Sequence, residues 1–180
     1  MNGRMSLAAA LSLLLLGCSG YGPPPAPIDE GAIFTFAPVG PQTFLVETDP
    51  AELDRRLRGL IENGGPDDAT RAYANRWVQP PGWKATVEAF GEPTEGDLYG
   101  PRGYRYRTNL VHPASGVIVL AYTKQQPDEA VWKQNESVQV SGRLEGYVRQ
   151  APGIVILLDA KLAGAPSEAA SATPLDARPG

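Results

Sequence analysis

An alternation of apolar and polar residues between Val138 and Val148 constrains the fold of this chain more than any other feature. A period of two is that of a β-strand with one buried face, so the even positions are predicted to face a core. Gly142 and Gly146 fall on that face, where glycine indicates a bulge or a barrel corner. The odd positions, predicted to face solvent, are Gln139, Ser141, Arg143, Glu145 and Tyr147.

Four more segments in the second half of the chain have strand patterns, at residues 83–89, 104–110, 117–122 and 154–158. Residues 91–103 are rich in glycine, proline and acids and are predicted to form a loop. The segment 154–158 is apolar on both faces, so we expect a layer of helices to cover its outer side. The predicted inward residues of the first two segments are Trp83, Ala85, Val87, Tyr104, Tyr106, Thr108 and Leu110.

A short helix is predicted between the third and fourth strands of this series. Pro127 followed by Asp128 and Glu129 favours a helix start, and the segment carries Val131 and Trp132. Three strands, a helix and two strands is an order that resembles an OB fold. That resemblance implies a five-stranded barrel whose open end is plugged by the helix, with Trp132 as the plug residue. A β-sandwich and an SH3-like barrel are the alternatives.

The residues before the barrel predict a β-hairpin and two short helices. Residues 32–36 and 43–47 flank a Pro- and Gly-containing turn and are predicted to pair with each other. Asp49, Pro50 and Glu52 have the spacing of an N-cap with a capping box. A second helix is predicted from Asp67 or Asp68, with Ala69, Ala72, Tyr73, Arg76 and Trp77 on one side, to a stop at Pro80-Pro81. The predicted fold class is therefore mainly β with α (α+β).

Residues 1–17 have the pattern of a targeting segment. Arg4 supplies a positive start, and residues 7–16 form an apolar run that is too short to span a bilayer. The run ends in Leu15-Leu16-Gly17-Cys18, which resembles the lipobox of bacterial lipoproteins. That resemblance implies that Cys18 carries a diacylglyceryl group and becomes the acylated N-terminus after cleavage. An ordinary secretory signal with an incidental cysteine is the alternative.

The resemblance to lipoproteins implies a division of the residues after the targeting segment into a tether, a domain and a tail. Residues 18–30 are predicted to be a lipid anchor and a proline-rich tether, because such runs extend as polyproline II at about 3.1 Å per residue. By the sorting rule of enteric lipoproteins, Ser19 favours the outer membrane. Residues 31–162 are predicted to be one globular domain, with the hairpin and helices at 31–80 and the barrel at 83–162. Residues 163–180 are predicted to be a disordered tail.

The charge of the chain argues against nucleic acid as a partner. The net charge is −4, and it becomes more negative once the targeting segment with Arg4 is removed. A mildly acidic protein lacks the broad basic field that draws proteins to phosphate backbones. The expected partners are the membrane, through the lipid on Cys18, and an envelope protein or glycan.

Tyr104, Arg105, Tyr106 and Arg107 form the most suggestive binding pattern in the sequence. OB folds hold oligosaccharides or oligonucleotides with arginines and stacked rings. Further candidates to line a sugar cleft are Trp77, Trp83 and Trp132. Strand alternation offers another interpretation, in which the two tyrosines are core and the two arginines form a solvated face.

Catalytic and metal-binding patterns are weaker. His112 is the only histidine and lies in a predicted turn near Ser115, which makes a tetrahedral zinc site or a catalytic triad unexpected. Glu92 and Glu95 are candidate acids for a hydrolase, in a loop where solvated acids are the usual finding. No catalytic residue, metal site or cofactor is predicted.

These patterns together predict a non-enzymatic lipoprotein of the bacterial cell envelope, with an OB-like barrel that serves as a binding or assembly module. The lipobox and the strand order resemble small outer-membrane lipoproteins with OB-like bodies, such as the starvation-inducible group. An oligosaccharide- or peptidoglycan-binding module is the first alternative. A periplasmic hydrolase that uses loop carboxylates is the second.

Overall fold

The computed structural model describes residues 30–94, 96–97, 99–129 and 132–165. The targeting segment, Cys18, nearly all of the predicted tether, Glu95, Val131 and the tail from residue 166 lie outside this part of the chain. The elements in chain order are β1 (Ile33–Thr35), β2 (Thr43–Phe44), α1 (Pro50–Gly64), α2 (Pro66–Ala72), β3 (Arg76–Gly91), a 3-10 turn (Gly100–Arg102), β4 (Tyr106–Val111), β5 (Ile118–Thr123), β6 (Ser137–Val148) and β7 (Ile154–Gly164).

Strands β3 to β7 close into a five-stranded barrel. Strand β3 pairs antiparallel with both β4 and β6, β4 pairs with β5, and β7 joins β6 on one side to β5 on the other. The β5–β7 pair is the parallel one. This circular order is the one expected for an OB-type barrel, so the predicted fold class, mainly β with a small five-stranded OB-like barrel, is confirmed.

The alternation of β6 changes partway along the strand. Val138, Val140 and Leu144 are buried in the barrel core as predicted. The pairing with β7 then shifts between Leu144 and Gly146, because one additional residue of β6 is left without an opposite partner. Tyr147, predicted to face solvent, is therefore 0 % exposed in the core, and Val148 packs on the opposite face. The prediction of outward Tyr147 was wrong for this reason.

The two short strands before the barrel are present, but they do not form a hairpin. Strand β1 pairs antiparallel with the end of β6, and β2 pairs in parallel with the start of β3. Each short strand thus extends a different edge that the barrel strands leave unpaired. The prediction that these segments pair with each other was wrong.

The second helix ends earlier than its pattern predicted, and β3 begins earlier. Helix α2 stops at Ala72, and Asn75 has a φ of 50°, a left-handed conformation that asparagine tolerates. This turn directs Arg76 and Trp77 into β3, where Trp77 pairs with Arg143. Ladder hydrogen bonds to two neighbouring strands outweigh the helical pattern of these residues. Strand β7 in turn runs to Gly164, into the segment that was predicted as tail.

Helix α1 forms where its caps predicted. The Asp49 carboxylate accepts a 2.9 Å hydrogen bond from the Glu52 amide, and Pro50 occupies the first turn. Leu53, Leu57 and Ile61 are buried in the core cluster of the barrel. The helix lies at the end of the barrel where β6 turns into β7. There Arg58 donates a hydrogen bond to the Gln150 carbonyl of that turn.

The other end of the barrel holds Trp132. Residues 124–129 and 132–136 contain no helix, so the predicted helix is not seen in these residues. The Trp132 amide donates a 2.9 Å hydrogen bond to the Asp128 carbonyl, and the Glu136 amide donates a 3.2 Å bond to the Lys133 carbonyl. The Trp132 indole donates a 2.9 Å hydrogen bond to the hydroxyl of buried Thr108. Its ring contacts Phe90 and Tyr106.

A loop, and not a helical layer, covers the outer face of β7. Ile156 and Leu158 of β7 pack with three tyrosines, Tyr99, Tyr104 and Tyr122, in a cluster separate from the barrel core. Tyr99 and Tyr104 belong to the connection between β3 and β4. The apolar outer face did require a cover, as predicted, but its source was predicted wrongly because α1 is used to close the barrel end.

Candidate binding site

The predicted Tyr104–Arg107 patch is divided among different surroundings. Tyr104 is buried in the outer-face cluster, whereas Tyr106 lies half-buried at the Trp132 end of the barrel. Arg107 forms a 3.2 Å ion pair with Asp97, and Arg105 is exposed. The four side chains therefore do not form one continuous surface for a ligand.

The outer-face cluster is held by hydrogen bonds among its own polar groups. The Tyr122 hydroxyl donates a 2.8 Å hydrogen bond to Asp97, the same carboxylate that Arg107 contacts. Burial, reinforced by this bond to Asp97, raises the pKa of Tyr122. Buried Glu145 accepts hydrogen bonds from Arg102 at 2.9 Å and Arg143 at 2.6 Å. The bonds of Asp97 to Tyr122 and Arg107 and of Arg102 to Glu145 fasten the β3–β4 connection to the barrel.

An aromatic cluster at the Trp132 end joins two of the predicted binding residues. The Trp132 ring lies 4.6 Å from that of Phe90 and 5.5 Å from that of Tyr106, between centroids. Phe90 is 45 % exposed, so one ring of the cluster is open to solvent. Trp83 is not part of it: this residue is buried in the core, and its indole donates a 3.1 Å hydrogen bond to the Glu47 carbonyl.

The candidate catalytic residues that the structure describes, His112, Ser115 and Glu92, lie in turns and loops. His112 Nδ1 is 2.8 Å from the Ser115 hydroxyl, which also accepts a hydrogen bond from the Val117 amide. Both contacts span two or three residues and are typical of a side chain that stabilises a tight turn. Glu92 is exposed. The described residues contain no group of three or more His, Cys, Asp or Glu side chains arranged to hold a metal ion.

A cleft of about 310 Å³ opens between the segment after β2 and the two helices. We call it the Glu47 cleft, and its lining is residues 45–47, Arg56, Leu60, Ala72, Tyr73 and Arg76. The elements meet here because β2 pairs with β3, and Leu45 continues this pairing with a 2.8 Å hydrogen bond to the Trp77 carbonyl. Val46, which is 71 % exposed, lies at the rim.

A buried carboxylate organises the polar side of this cleft. The Glu47 side chain is 2 % exposed, and its Oε1 accepts hydrogen bonds from Arg56 at 3.0 Å and from the Tyr73 hydroxyl at 2.6 Å. Burial and this hydrogen bond raise the pKa of Tyr73, so its hydroxyl stays protonated as a donor. The hydrogen bond that Arg56 donates to Glu47 also raises the pKa of Arg56. The result is a fixed acceptor between two donors.

Arg76 is the second cation of the cleft. Its Nε donates a 3.1 Å hydrogen bond to the Ala72 carbonyl at the end of α2. Helix C-terminal carbonyls carry partial negative charge, and this bond fixes the base of the side chain. No ion pair with a carboxylate is found for Arg76 within the described residues.

Sequence patterns did not indicate the Glu47 cleft. Glu47 ends a strand-like run, Arg56 lies on the polar face of a helix, and Arg76 was predicted to belong to a helix that ends before it. The one available signal was the spacing of Tyr73 and Arg76, three residues apart, which placed both on one side of that predicted helix. Their actual proximity arises from the strand start at Arg76.

Within the part of the chain that the structure describes, no helix is long and apolar enough to cross a membrane. No family model matches the sequence, and no curated protein or solved structure matches it either. The chemistry of the chain's own residues is therefore the basis for a function.

Proposed function

We propose that this protein is a lipoprotein of the bacterial cell envelope, anchored through Cys18, whose barrel is a non-enzymatic binding or assembly module. The anchor is supported by the lipobox-like sequence that ends in Cys18. Ser19 favours the outer membrane, with the barrel facing the periplasm. Several acyl chains hold a protein firmly at a membrane, because each buried CH₂ contributes about 0.8 kcal/mol.

The Glu47 cleft is the observation that carries the binding function. Ligand sites in proteins are concave and mostly apolar, with a small number of polar groups fixed in position. The cleft has apolar walls from Leu45, Leu60 and Ala72, and Arg56 is fixed by the buried Glu47 carboxylate. Such a fixed charged group loses little conformational entropy on binding, which favours affinity.

The surroundings of the carboxylates support binding over hydrolysis. Glu47, Glu145 and Asp97 each accept a hydrogen bond from an arginine, so these acids hold the fold together. Glu92, a candidate acid in the sequence, is exposed to solvent and lies outside the Glu47 cleft. A hydrolase remains testable: if Glu92→Gln and Glu95→Gln leave a measured glycan hydrolysis unchanged, its candidates are removed.

Replacing Cys18 by Ala tests the anchor. We expect the wild-type chain in the membrane fraction of its host and the variant in the soluble periplasmic or secreted fraction. A Ser19→Ala variant is the matched control, since it keeps the acylated cysteine. Unchanged membrane association of the Cys18→Ala variant would contradict the anchor.

Cross-linking in the native host, followed by affinity purification and mass spectrometry, tests the assembly role. A reproducible envelope protein that copurifies with wild-type chain, and is lost with a Val46→Asp rim variant, supports assembly through the cleft face. A purification without a specific protein directs the binding function to a small molecule or a glycan.

Glycan binding at the Trp132 end is a second candidate, favoured by the exposed ring of Phe90 beside Trp132 and Tyr106. Sugar rings stack on aromatic faces, and exposed Arg105 is close in sequence to this cluster. The test is cosedimentation with purified peptidoglycan. Phe90→Ala is expected to lower the bound fraction, and Ile33→Ala, at an exposed apolar residue of β1, is the control. Equal cosedimentation of the two variants would exclude this site.

A further inference from the structure

We propose that the Glu47 cleft binds a small amphiphilic monoanion, a molecule with one carboxylate- or phosphate-type head group on a short apolar body. This inference deepens the proposed binding function and rests on it. It assigns the head group to Arg76 and Arg56 and the apolar body to the walls formed by Leu45, Leu60 and Ala72.

The charge of the cleft favours a single negative charge on the ligand. Two guanidinium groups and one carboxylate give the lining a net charge of +1, within a chain whose net charge is −4. A locally positive cleft on an acidic protein selects anions at that position. The buried Glu47 carboxylate repels a second negative charge, and this repulsion disfavours a dianion.

The two arginines contribute differently. Arg56 is tied to Glu47 at 3.0 Å, yet 54 % of its side chain is exposed, so part of its guanidinium faces outward. Arg76 uses Nε for the Ala72 carbonyl, and its two terminal nitrogens are the donors that match a carboxylate or phosphate in bidentate geometry. Arg76 is therefore the principal anion ligand.

The volume and walls of the cleft limit the apolar body. A volume of about 310 Å³ lies at the lower end of small-molecule sites. The wall residues Leu45, Leu60 and Ala72 contribute aliphatic carbon, and exposed Val46 extends this apolar surface at the rim. A short alkyl chain gains burial there, whereas inorganic phosphate gains none.

The test is equilibrium dialysis of the full chain, purified from host membranes into phosphatidylcholine nanodiscs, against radiolabelled octanoate. Saturable binding is expected, with affinity lowered about tenfold or more by Arg76→Ala, as for loss of a charged hydrogen bond. Arg55→Ala is the matched control, because Arg55 is an exposed arginine of α1 outside the cleft. Its affinity is expected within twofold of wild type.

A further variant keeps the test decisive if Arg76→Ala lowers the melting temperature. Ala72→Leu narrows the cleft at an exposed position and is expected to weaken octanoate binding without a change of charge. Absence of saturable octanoate binding, or equal effects of Arg76→Ala and Arg55→Ala, would overturn the proposal.

Competition identifies the source of the ligand. Displacement of octanoate by an equal concentration of inorganic phosphate would overturn the proposal of an amphiphilic ligand, because the apolar walls would then contribute nothing to affinity. If anionic phosphatidylglycerol in the nanodiscs competes with octanoate, the monoanion is a membrane lipid. If it does not compete, the monoanion is a soluble molecule. If the proposed anchor at Cys18 is wrong, the chain is recovered outside the membrane fraction. Its octanoate binding is then measured in solution, so the two hypotheses fail separately.

Discussion

The Tyr147 hydroxyl donates a 2.6 Å hydrogen bond to the Asp54 carboxylate, and this bond joins barrel strand β6 to helix α1. Asp54 also forms a 3.1 Å ion pair with Arg58 one helical turn later. Burial and the bond to Asp54 raise the pKa of Tyr147. Helix α1 forms one wall of the Glu47 cleft, so its attachment to the barrel determines whether the cleft keeps its shape.

Tyr147→Phe is therefore expected to lower the free energy of unfolding by about 1–2 kcal/mol, because a buried hydrogen bond is lost without a large change in volume. Tyr106→Phe is the control at a half-buried tyrosine at the other end of the barrel, with an expected change below about 0.5 kcal/mol. Urea denaturation followed by tryptophan fluorescence measures both. Equal losses in the two variants would contradict the role of the Asp54 contact.

Gly82 is required where the backbone of β3 lies against the backbone of β6 at Val140. Its φ is 102°, and an added Cβ would collide with the backbone carbonyl of Val140. Gly82→Ala is expected to destabilise the protein by about 2 kcal/mol or more. Gly59→Ala, in helix α1 with no atom within 4 Å of the added Cβ, is expected to be neutral or stabilising by up to about 1 kcal/mol. Thermal unfolding that ranks the two variants the other way would contradict this account of β3.

The pair of Arg107 and Asp97 fastens the β3–β4 connection. The Asp97 side chain is 5 % exposed, and Arg107→Ala leaves that carboxylate without its cation. We expect a loss of about 1–3 kcal/mol and faster proteolysis within residues 91–105. Arg105→Ala, at an exposed neighbour, is expected to change neither measurement appreciably. Limited proteolysis followed by mass spectrometry compares the variants, and identical cleavage rates would exclude the fastening role.

Alkaline pH is expected to unfold the protein through its buried tyrosines. Burial raises the pKa of Tyr99 to about 12, above the unfolded value of about 10. The neutral form is thus favoured in the folded state, so this contribution to stability is fully present below about pH 10 and is lost as the pH rises toward 12. Urea denaturation between pH 9 and 12 measures it. Tyr99→Phe is expected to lose less stability over this range than wild type, and an identical slope would contradict the assignment.

The barrel was predictable because its information is local. The periodicity of residues 83–89, 104–110 and 138–144 and the caps of α1 each follow from the side chains of one segment. The order of strands and helix then favoured an OB-like barrel over a β-sandwich or an SH3-like barrel, and a closed five-stranded barrel is found.

The errors arose where distant contacts override local pattern. The additional residue in β6 that moves Tyr147 into the core depends on pairing with β7, and the strand start at Arg76 depends on β2 and β6. The Glu47 cleft needs three separate segments to meet, so no single stretch of sequence contained it. In the predicted Tyr104–Arg107 patch, by contrast, residues that are adjacent in sequence are separated in space.

Mass spectrometry of the N-terminal peptide of the chain purified from its host tests the central claim most directly. We predict a mature chain that begins at Cys18 and carries the mass of a diacylglyceryl group, with or without a further acyl chain on its amino group. An unmodified thiol at Cys18, or an N-terminus at another residue, would contradict the lipid-anchored function.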